Sequence, residues 1–263
     1  MSFSYKNGAD VLKNVCLSVP AGKHFGIMGE TGCGKSTLMG LIAGLNGYEC
    51  GSIRLNTLEL RNIDTKNLHE RVAYCTQRTH LIHSSLRDNI TLYDPRYSDE
   101  AITKAIESLD LSQWFQKFSE GLDTILKMGE GSPSSGEAQL IPFVRLALRN
   151  PGLVLLDEIT ANPDPEKRVS RAVTMLCKGR TVIAIAHKSE SLVWMDIVFH
   201  MENGFLTTRM GGKHMRQKGK THAFLTFSRD LLGYKKGTAA ANIFCNAIIF
   251  SYQAAVVFSS EKY

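Results

Sequence analysis

Short apolar stretches and amphipathic stretches follow one another in this chain in an order that predicts a layered α/β protein. The first third contains short, β-branched apolar runs, which are typical of strands. These runs cover residues 11–19, 24–28, 52–55 and 72–76. Between residues 81 and 150 the apolar positions recur with the helical period, which predicts helices near 84–91, 99–109 and 134–149. Strand patterns return at 153–156, 181–185 and 197–201, with a helix predicted near 165–177. The order indicates a strand-rich core with an inserted helical subdomain.

A glycine-rich loop joins the strand predicted at 24–28 to the helical pattern after it. Its sequence, Gly29-Glu30-Thr31-Gly32-Cys33-Gly34-Lys35-Ser36, matches G-x-x-x-x-G-K-[ST] in full, and Thr37 follows. Glycines let backbone N–H groups close around phosphate oxygens, and the helix dipole directs its positive end at the same phosphates. In this motif Lys35 reaches the β- and γ-phosphates, while the Ser36 hydroxyl binds Mg²⁺. The loop therefore predicts that residues 29–37 bind the phosphates of a nucleotide together with Mg²⁺.

Two acidic residues follow the apolar strand predicted at 153–156. Strands buried on both faces of a parallel sheet have continuous apolar sequences, and ligands bind at their carboxyl ends. Asp157 is therefore predicted to hold Mg²⁺, directly or through water. Glu158 is predicted to lie beyond the γ-phosphate, as the base or the positioning group for the attacking water. A polar strand end that meets solvent is the structural alternative.

The distribution of charged residues and of cysteines argues against a nucleic-acid surface and against a zinc site. The chain has a formal net charge of +6, and residues 208–263 hold nine Lys and Arg against two acids. The preceding 207 residues are therefore almost neutral, so a nucleic-acid partner is not expected. The six cysteines are scattered without a C-x-x-C pair, which favours free thiols over a zinc site.

A third motif lies between the phosphate loop and the acidic strand end. The segment Pro133-Ser134-Ser135-Gly136-Glu137-Ala138-Gln139 predicts a helix N-terminus with a hydroxyl and exposed N–H groups, which suits an anion. An ordinary helix capped by Ser134 or Ser135 is the alternative. The segment resembles the L-S-G-G-Q signature of the ABC ATPase family, with Ser134 and Gly136 at matching positions. Pro133, Ser135 and Glu137 depart from that pattern.

The resemblance to ABC ATPases implies a fold and three further site residues. The fold is a P-loop NTPase (RecA-like) core with an antiparallel β subdomain and an α-helical subdomain inserted at about 78–149. Tyr5 stands where the family has an aromatic residue that stacks on adenine. Gln77 matches the glutamine that contacts Mg²⁺ or water, and His187 matches the histidine at the γ-phosphate. Each of the three also has a purely structural interpretation.

The same resemblance implies partners and a location. In this family two ATPase domains face each other head to tail, and each ATP lies between the phosphate loop of one domain and the signature of the other. The implied partners are a second ABC ATPase domain, identical or not, and a transmembrane transporter domain. Residues 77–90 and 121–124 are similar to segments of the exporter branch. The implied function is ATP hydrolysis that powers a membrane exporter through ATP-driven dimerisation, at the cytoplasmic face of a membrane.

Two other functions fit the same motifs. One is a soluble ABC ATPase that acts on ribosomes or DNA, although such proteins usually have two ATPase cassettes and a basic surface. The other is a non-catalytic fragment that binds ATP as an interaction module, which the altered signature favours. A turnover assay separates the last from an ATPase.

The chain is predicted to divide after the ATPase domain at residues 1–207. A basic linker is expected at 208–237. Residues 238–258 contain no charged side chain and are long enough to cross a bilayer core, so a transmembrane helix is one interpretation. A buried or surface helix is the other, because Asn242 and Asn246 are costly in lipid.

Overall fold

The computed structural model describes residues 1–6, 8–76, 79–126, 134–157, 166–187, 189–210, 213–215 and 224–227. The chain divides into a unit over Met1–Leu232 and a second over Gly233–Tyr263. The whole of the second unit lies outside the described residues, and so does the hydrophobic segment predicted at 238–258.

The described part of the first unit contains both strands and helices. The strands are β1 (Phe3–Ser4), β2 (Asp10–Leu12), β3 (Leu17–Val19), β4 (His24–Met28), β5 (Ser52–Leu55), β6 (Leu58–Glu59), β7 (Val72–Cys75), β8 (Leu153–Asp157), β9 (Thr181–Ala186), β10 (Ile197–Glu202), β11 (Phe205–Met210), β12 (Lys213–Met215) and β13 (Phe224–Phe227). The helices are α1 (Lys35–Ile42), α2 (Thr65–Arg71), α3 (Leu86–Thr91), α4 (Asp99–Ser108), α5 (Ser112–Phe115), α6 (Ser135–Arg149) and α7 (Glu166–Cys177). Helices α3 to α6 are grouped between β7 and β8.

A seven-stranded sheet in the order β12-β11-β10-β4-β9-β8-β7 forms the core. The strands from β10 to β7 are parallel, while β11 and β12 add an antiparallel edge. Strands β8 and β9 are buried along their whole length, as their continuous apolar sequences predict. Because parallel strands end at the same edge of a sheet, the carboxyl ends of β4, β7, β8 and β9 lie at one edge. The core is the mixed α/β arrangement of a P-loop NTPase.

A smaller, four-stranded sheet has the order β3-β13-β5-β6. β5 and β6 are antiparallel, whereas β13 runs parallel to both β3 and β5, so this sheet is mixed. β1 and β2 form a separate antiparallel pair. β12 and β13 come from residues 208–237, the stretch predicted as a linker, and they contribute one strand to each of the two larger sheets. The division of the chain into an ATPase domain and a linker stays a prediction.

Two hydrophobic clusters cover the two faces of the core sheet. One packs α1 with β4 and with the inward side chains of the small sheet, including Ile27, Leu38 and Ile53. The other packs α3, α4, α6 and α7 around the fully buried Trp114. The first cluster therefore supports the phosphate loop, and the second supports the helical insertion.

Asn89 is a buried polar residue whose loss should destabilise the fold. It is fully buried, and its side chain accepts a hydrogen bond from Ile82 N (2.9 Å) and donates to Ile82 O (2.9 Å) and Ser85 O (3.0 Å). We expect Asn89→Ala to lower the free energy of unfolding by about 2–4 kcal/mol, because it leaves buried backbone groups unpaired. Urea unfolding followed by circular dichroism measures this loss.

Asn67 provides the matched control, because its exposed side chain makes one long hydrogen bond to Asp64 (3.4 Å). Asn67→Ala should change the same free energy by less than about 0.5 kcal/mol. Equal effects of the two substitutions would show that Asn89 does not hold the segment before α3.

No helix in the described part of the chain combines the length and the apolar character needed to cross a membrane.

Candidate nucleotide-binding site

The predicted phosphate loop lies between the central strand β4 and the first turn of α1. β4 ends at Met28 and α1 begins at Lys35, so residues 29–34 form the connection. Gly34 precedes α1 with φ of 107°, and no side chain among the described residues caps this helix start. The first N–H groups of α1 are therefore left for a ligand, and the helix dipole adds to the attraction for an anion.

Close packing leaves no room for a side chain at two glycines of the loop, Gly29 and Gly34. A Cβ on Gly34 would lie 2.8 Å from Leu12 Cδ2 and 2.9 Å from Val11 O, and a Cβ on Gly29 would collide with Met201 O. Gly32 has open space around it but a φ of +83°, which disfavours other residues. The sequence motif indicates phosphate contact at these positions but not the packing.

The Lys35 side chain reaches back to the phosphate loop. Its side chain is almost completely buried, and Nζ donates to Gly29 O and Glu30 O, each at 2.8 Å. A buried ammonium group is tolerated only when it is hydrogen-bonded, and these two carbonyls provide the partners. The amine is thus already positioned beside the loop that the motif assigns to phosphate.

Cys33 points into the protein. Its side chain belongs to the buried cluster beneath α1, with Sγ 3.8 Å from Lys35 Nζ. Contact between Cys33 and a nucleotide would therefore involve its backbone. No disulfide joins Cys33 to another cysteine of the described residues.

Tyr5 lies beside the start of α1. Its hydroxyl is 3.1 Å from Thr37 Oγ1, and its ring, 48% exposed, packs edge-on against Phe3. The structure thus brings Tyr5 together with the helix that follows the phosphate loop. The exposed ring face suits the predicted stacking on adenine, which stays a prediction.

Asp157 ends β8 at the same edge of the core sheet. The strand register pairs Met28 with Ala186 and Asp157 with Ile185. The carboxyl ends of β4, β8 and β9 are therefore nearly level. They are followed or ended by the phosphate loop, Asp157 and the exposed His187. Ser36, in the first turn of α1, is exposed.

The predicted magnesium ligands have suitable chemistry. Mg²⁺ prefers oxygen ligands and is usually held by one or two protein groups together with phosphate oxygens. The Ser36 hydroxyl and the Asp157 carboxylate are groups of this type. No group of three or more His, Cys, Asp or Glu side chains suited to a metal occurs within the described ranges. The residues therefore fit a magnesium ion that is bound with nucleotide.

Gln77 and Glu158 lie outside the described residues. In the sequence Gln77 comes two positions after β7, and Glu158 directly follows β8. Their predicted roles rest on those positions.

The sequence motifs do not reveal Tyr74, which contacts Asp157. The Tyr74 hydroxyl donates a hydrogen bond to Asp157 Oδ2 at 2.6 Å. Burial, and then this hydrogen bond to the carboxylate, raise the pKa of Tyr74 above its ordinary value. In the sequence, Tyr74 stands three positions before Gln77, and this position near the predicted site was the one available signal. Its contact with Asp157 could not be read from the sequence, because it depends on the register of β7 and β8.

The predicted signature residues form a capped helix start. Ser134 precedes α6 and accepts a hydrogen bond from Glu137 N, while Glu137 Oε2 accepts one from Ser134 N, both at 3.2 Å. This is a capping box, so Ser134 caps α6. The predicted contact of Ser134 and Gly136 with an anion stays a prediction. Lys117 Nζ lies 2.6 Å from Glu137 Oε1. The hydrogen bond from Lys117 is the main reason that the pKa of Glu137 is lowered.

A cavity of about 210 Å³ opens at this helix start. Its described lining residues are Lys117, Ser134, Gly136, Glu137, Leu140 and Arg168. The phosphate loop contributes none of these residues. Within the described part of the chain, Ser134 and Gly136 thus line a cavity that the phosphate loop does not share.

Comparison with known proteins identifies similar sequences. A family model described as "ABC transporter" matches residues 12–161. An ATP-dependent lipid A-core flippase of Haemophilus influenzae is 31% identical over 218 residues, which are 81% of this chain and 37% of the relative. A mycobactin import ATP-binding/permease protein of Mycolicibacterium thermoresistibile is 31% identical over 206 residues, 78% of this chain and 23% of the relative. The chain thus spans well under half the length of these curated relatives.

Proposed function

Because the chain belongs to the ABC transporter family and carries that family's ATP-binding domain, we propose that it binds and hydrolyses ATP to power a membrane exporter. One observation supports this most strongly. The phosphate loop with its buried Lys35 and the carboxylate of Asp157 leave the core sheet at the same edge. That edge is where ligands bind in parallel α/β sheets.

Each residue of the site has a distinct role in this proposal. Lys35 and the N–H groups at the start of α1 bind the phosphates. Ser36 and Asp157, with Gln77, hold Mg²⁺, which neutralises charge on the β- and γ-phosphates when bound. Glu158 orients the attacking water and accepts its proton. His187 contacts the γ-phosphate, and Tyr5 stacks on adenine.

A second ABC ATPase domain completes each site. Ser134 and Gly136 line a cavity without the phosphate loop, so they are available to the nucleotide of another domain. ATP then joins two domains, and hydrolysis lets them separate, which is a domain-closure switch controlled by the γ-phosphate.

The membrane part of the proposal rests on the relatives and on the sequence. Residues 77–90 and 121–124 are similar to exporter segments, and one relative is a lipid A-core flippase. We therefore place the chain at the cytoplasmic face of a membrane, with a transmembrane transporter domain as its partner.

Glu137 gives a direct test of the paired arrangement. Its carboxylate is ionised beside Lys117, so it would repel the γ-phosphate carried by the partner. Glu137→Gln keeps the capping box, since Gln also serves at that position. We expect this substitution to strengthen ATP-dependent self-association roughly five- to tenfold, because a like-charge contact is removed.

Analytical ultracentrifugation with ATP and without a divalent cation measures this association while hydrolysis is prevented. Glu120→Gln is the charge-matched control, because Glu120 is exposed and does not line the cavity. Association that is independent of ATP, or equal in the Glu137 and Glu120 variants, would contradict the head-to-tail pairing.

A further inference from the structure

Tyr74 and Asp157 lie on neighbouring strands and on the same face of the core sheet. β7 and β8 run parallel and pair Tyr74 with Leu155. Side chains alternate along a strand, so Leu155 and Asp157 point to one face, and Tyr74 shares it. Tyr74 and Leu155 both pack in the cluster beneath α1 and the phosphate loop, whereas Leu156 and Cys75 belong to the cluster on the opposite face.

The contact between the two side chains is a charge-assisted hydrogen bond. The distance of 2.6 Å from Tyr74 Oη to Asp157 Oδ2 lies within the short range for an O–H donor and a carboxylate. The Asp157 side chain is nearly buried at 9% exposure, and Tyr74 is half-buried. Water is therefore a poor substitute for the tyrosine hydroxyl at this position.

We propose that Tyr74 is a positioning residue for the magnesium site. Its hydroxyl fixes the Asp157 side chain in one rotamer and occupies Oδ2. The carboxylate of Asp157, which would hold Mg²⁺ together with Ser36, is then already oriented, and this would lower the entropic cost of binding the ion. This inference rests on the proposed function, and it concerns a residue that the motifs do not identify.

Removing the Tyr74 hydroxyl should affect nucleotide affinity differently if its role is to position Asp157 than if its role is purely structural. Tyr74→Phe retains the ring and its packing and removes only the hydroxyl. If the hydroxyl serves the metal site, the substitution should alter nucleotide binding with Mg²⁺ and leave metal-free binding unchanged. If the hydroxyl serves only the fold, both affinities should stay as they are or fall together with the melting temperature.

The test compares ATP dissociation constants by calorimetry in excess EDTA and in excess Mg²⁺, with the full chain. For Tyr74→Phe we expect the EDTA value to stay within about twofold of wild type. The gain in affinity on adding Mg²⁺ should shrink by about tenfold, the lower end of the usual cost of removing a hydrogen bond that supports a metal ligand. The melting temperature is measured in parallel.

Tyr48→Phe is a closely matched control. The Tyr48 hydroxyl also donates to a carboxylate, that of Glu59, at 2.9 Å. Glu59 belongs to β6 of the small sheet, and Tyr48 lies in the segment before β5. The control should reproduce the wild-type response to Mg²⁺. An unchanged or larger Mg²⁺ response in Tyr74→Phe would overturn the positioning role and leave the proposed function intact. A wild-type chain that does not bind ATP in either condition would overturn both.

Discussion

Replacing Lys35 with alanine is expected to weaken ATP binding by roughly thirtyfold or more. The ammonium group is almost fully buried and is held at 2.8 Å from two loop carbonyls, so little reorganisation is needed for it to meet phosphate. Removing one partner of such a desolvated charge pair costs about 2–5 kcal/mol. Calorimetric titration with Mg-ATP measures the change directly.

Lys23 provides the control for Lys35. It directly precedes β4, at the end opposite the phosphate loop, and it pairs with Asp196 at the surface. Lys23→Ala should bind ATP with wild-type affinity. If the Lys35→Ala chain retains that affinity as well, the phosphate loop is not the nucleotide site.

Replacing Glu158 with glutamine is expected to reduce ATP turnover by about 10²–10⁴-fold, the usual contribution of a general base. ATP affinity should change less than about twofold, because the side chain keeps its shape and the phosphates are held elsewhere. The variant should also accumulate ATP-bound dimers, since ATP that joins two domains is no longer hydrolysed. Turnover and dimer content are measured on the same sample.

Glu202 is a suitable control for Glu158. It ends β10 at the same edge of the core sheet and is exposed. Glu202→Gln should hydrolyse ATP at the wild-type rate. Normal turnover in Glu158→Gln would remove the assignment of that residue as the base.

The elements with strong apolar patterns were predictable from sequence. Strands β4, β5, β7 and β8 and helices α4 and α6 lie where the patterns place them, within one or two residues. The strand predicted at 11–19 is instead two strands, because Asn14 adopts a positive φ of 49° between β2 and β3. Helix α2 was missed, since Leu68 is its one buried residue and such a helix has little apolar periodicity. Asp64, which caps α2, was the available signal.

The residues of the candidate site that belong to sequence motifs were predictable, whereas the contacts between separate elements were not. The glycine loop, Lys35 and Asp157 could be located because each has a sequence signature tied to a strand end. The contacts of Tyr74 with Asp157 and of Lys117 with Glu137 could not be predicted, because they depend on register and on the packing of separate elements. The roles of Gln77 and Glu158 stay predictions from sequence position.

Phosphate release from ATP by the purified full chain tests directly whether the chain hydrolyses ATP. The assay is run with excess Mg²⁺ or with EDTA, at protein concentrations high enough for two chains to associate, and with Glu158→Gln as the background. We expect release that requires Mg²⁺ and exceeds the Glu158→Gln rate by about two orders of magnitude or more. A wild-type rate equal to that of the Glu158→Gln chain, in a preparation that still binds ATP, would contradict this expectation and identify a nucleotide-binding module without ATPase activity.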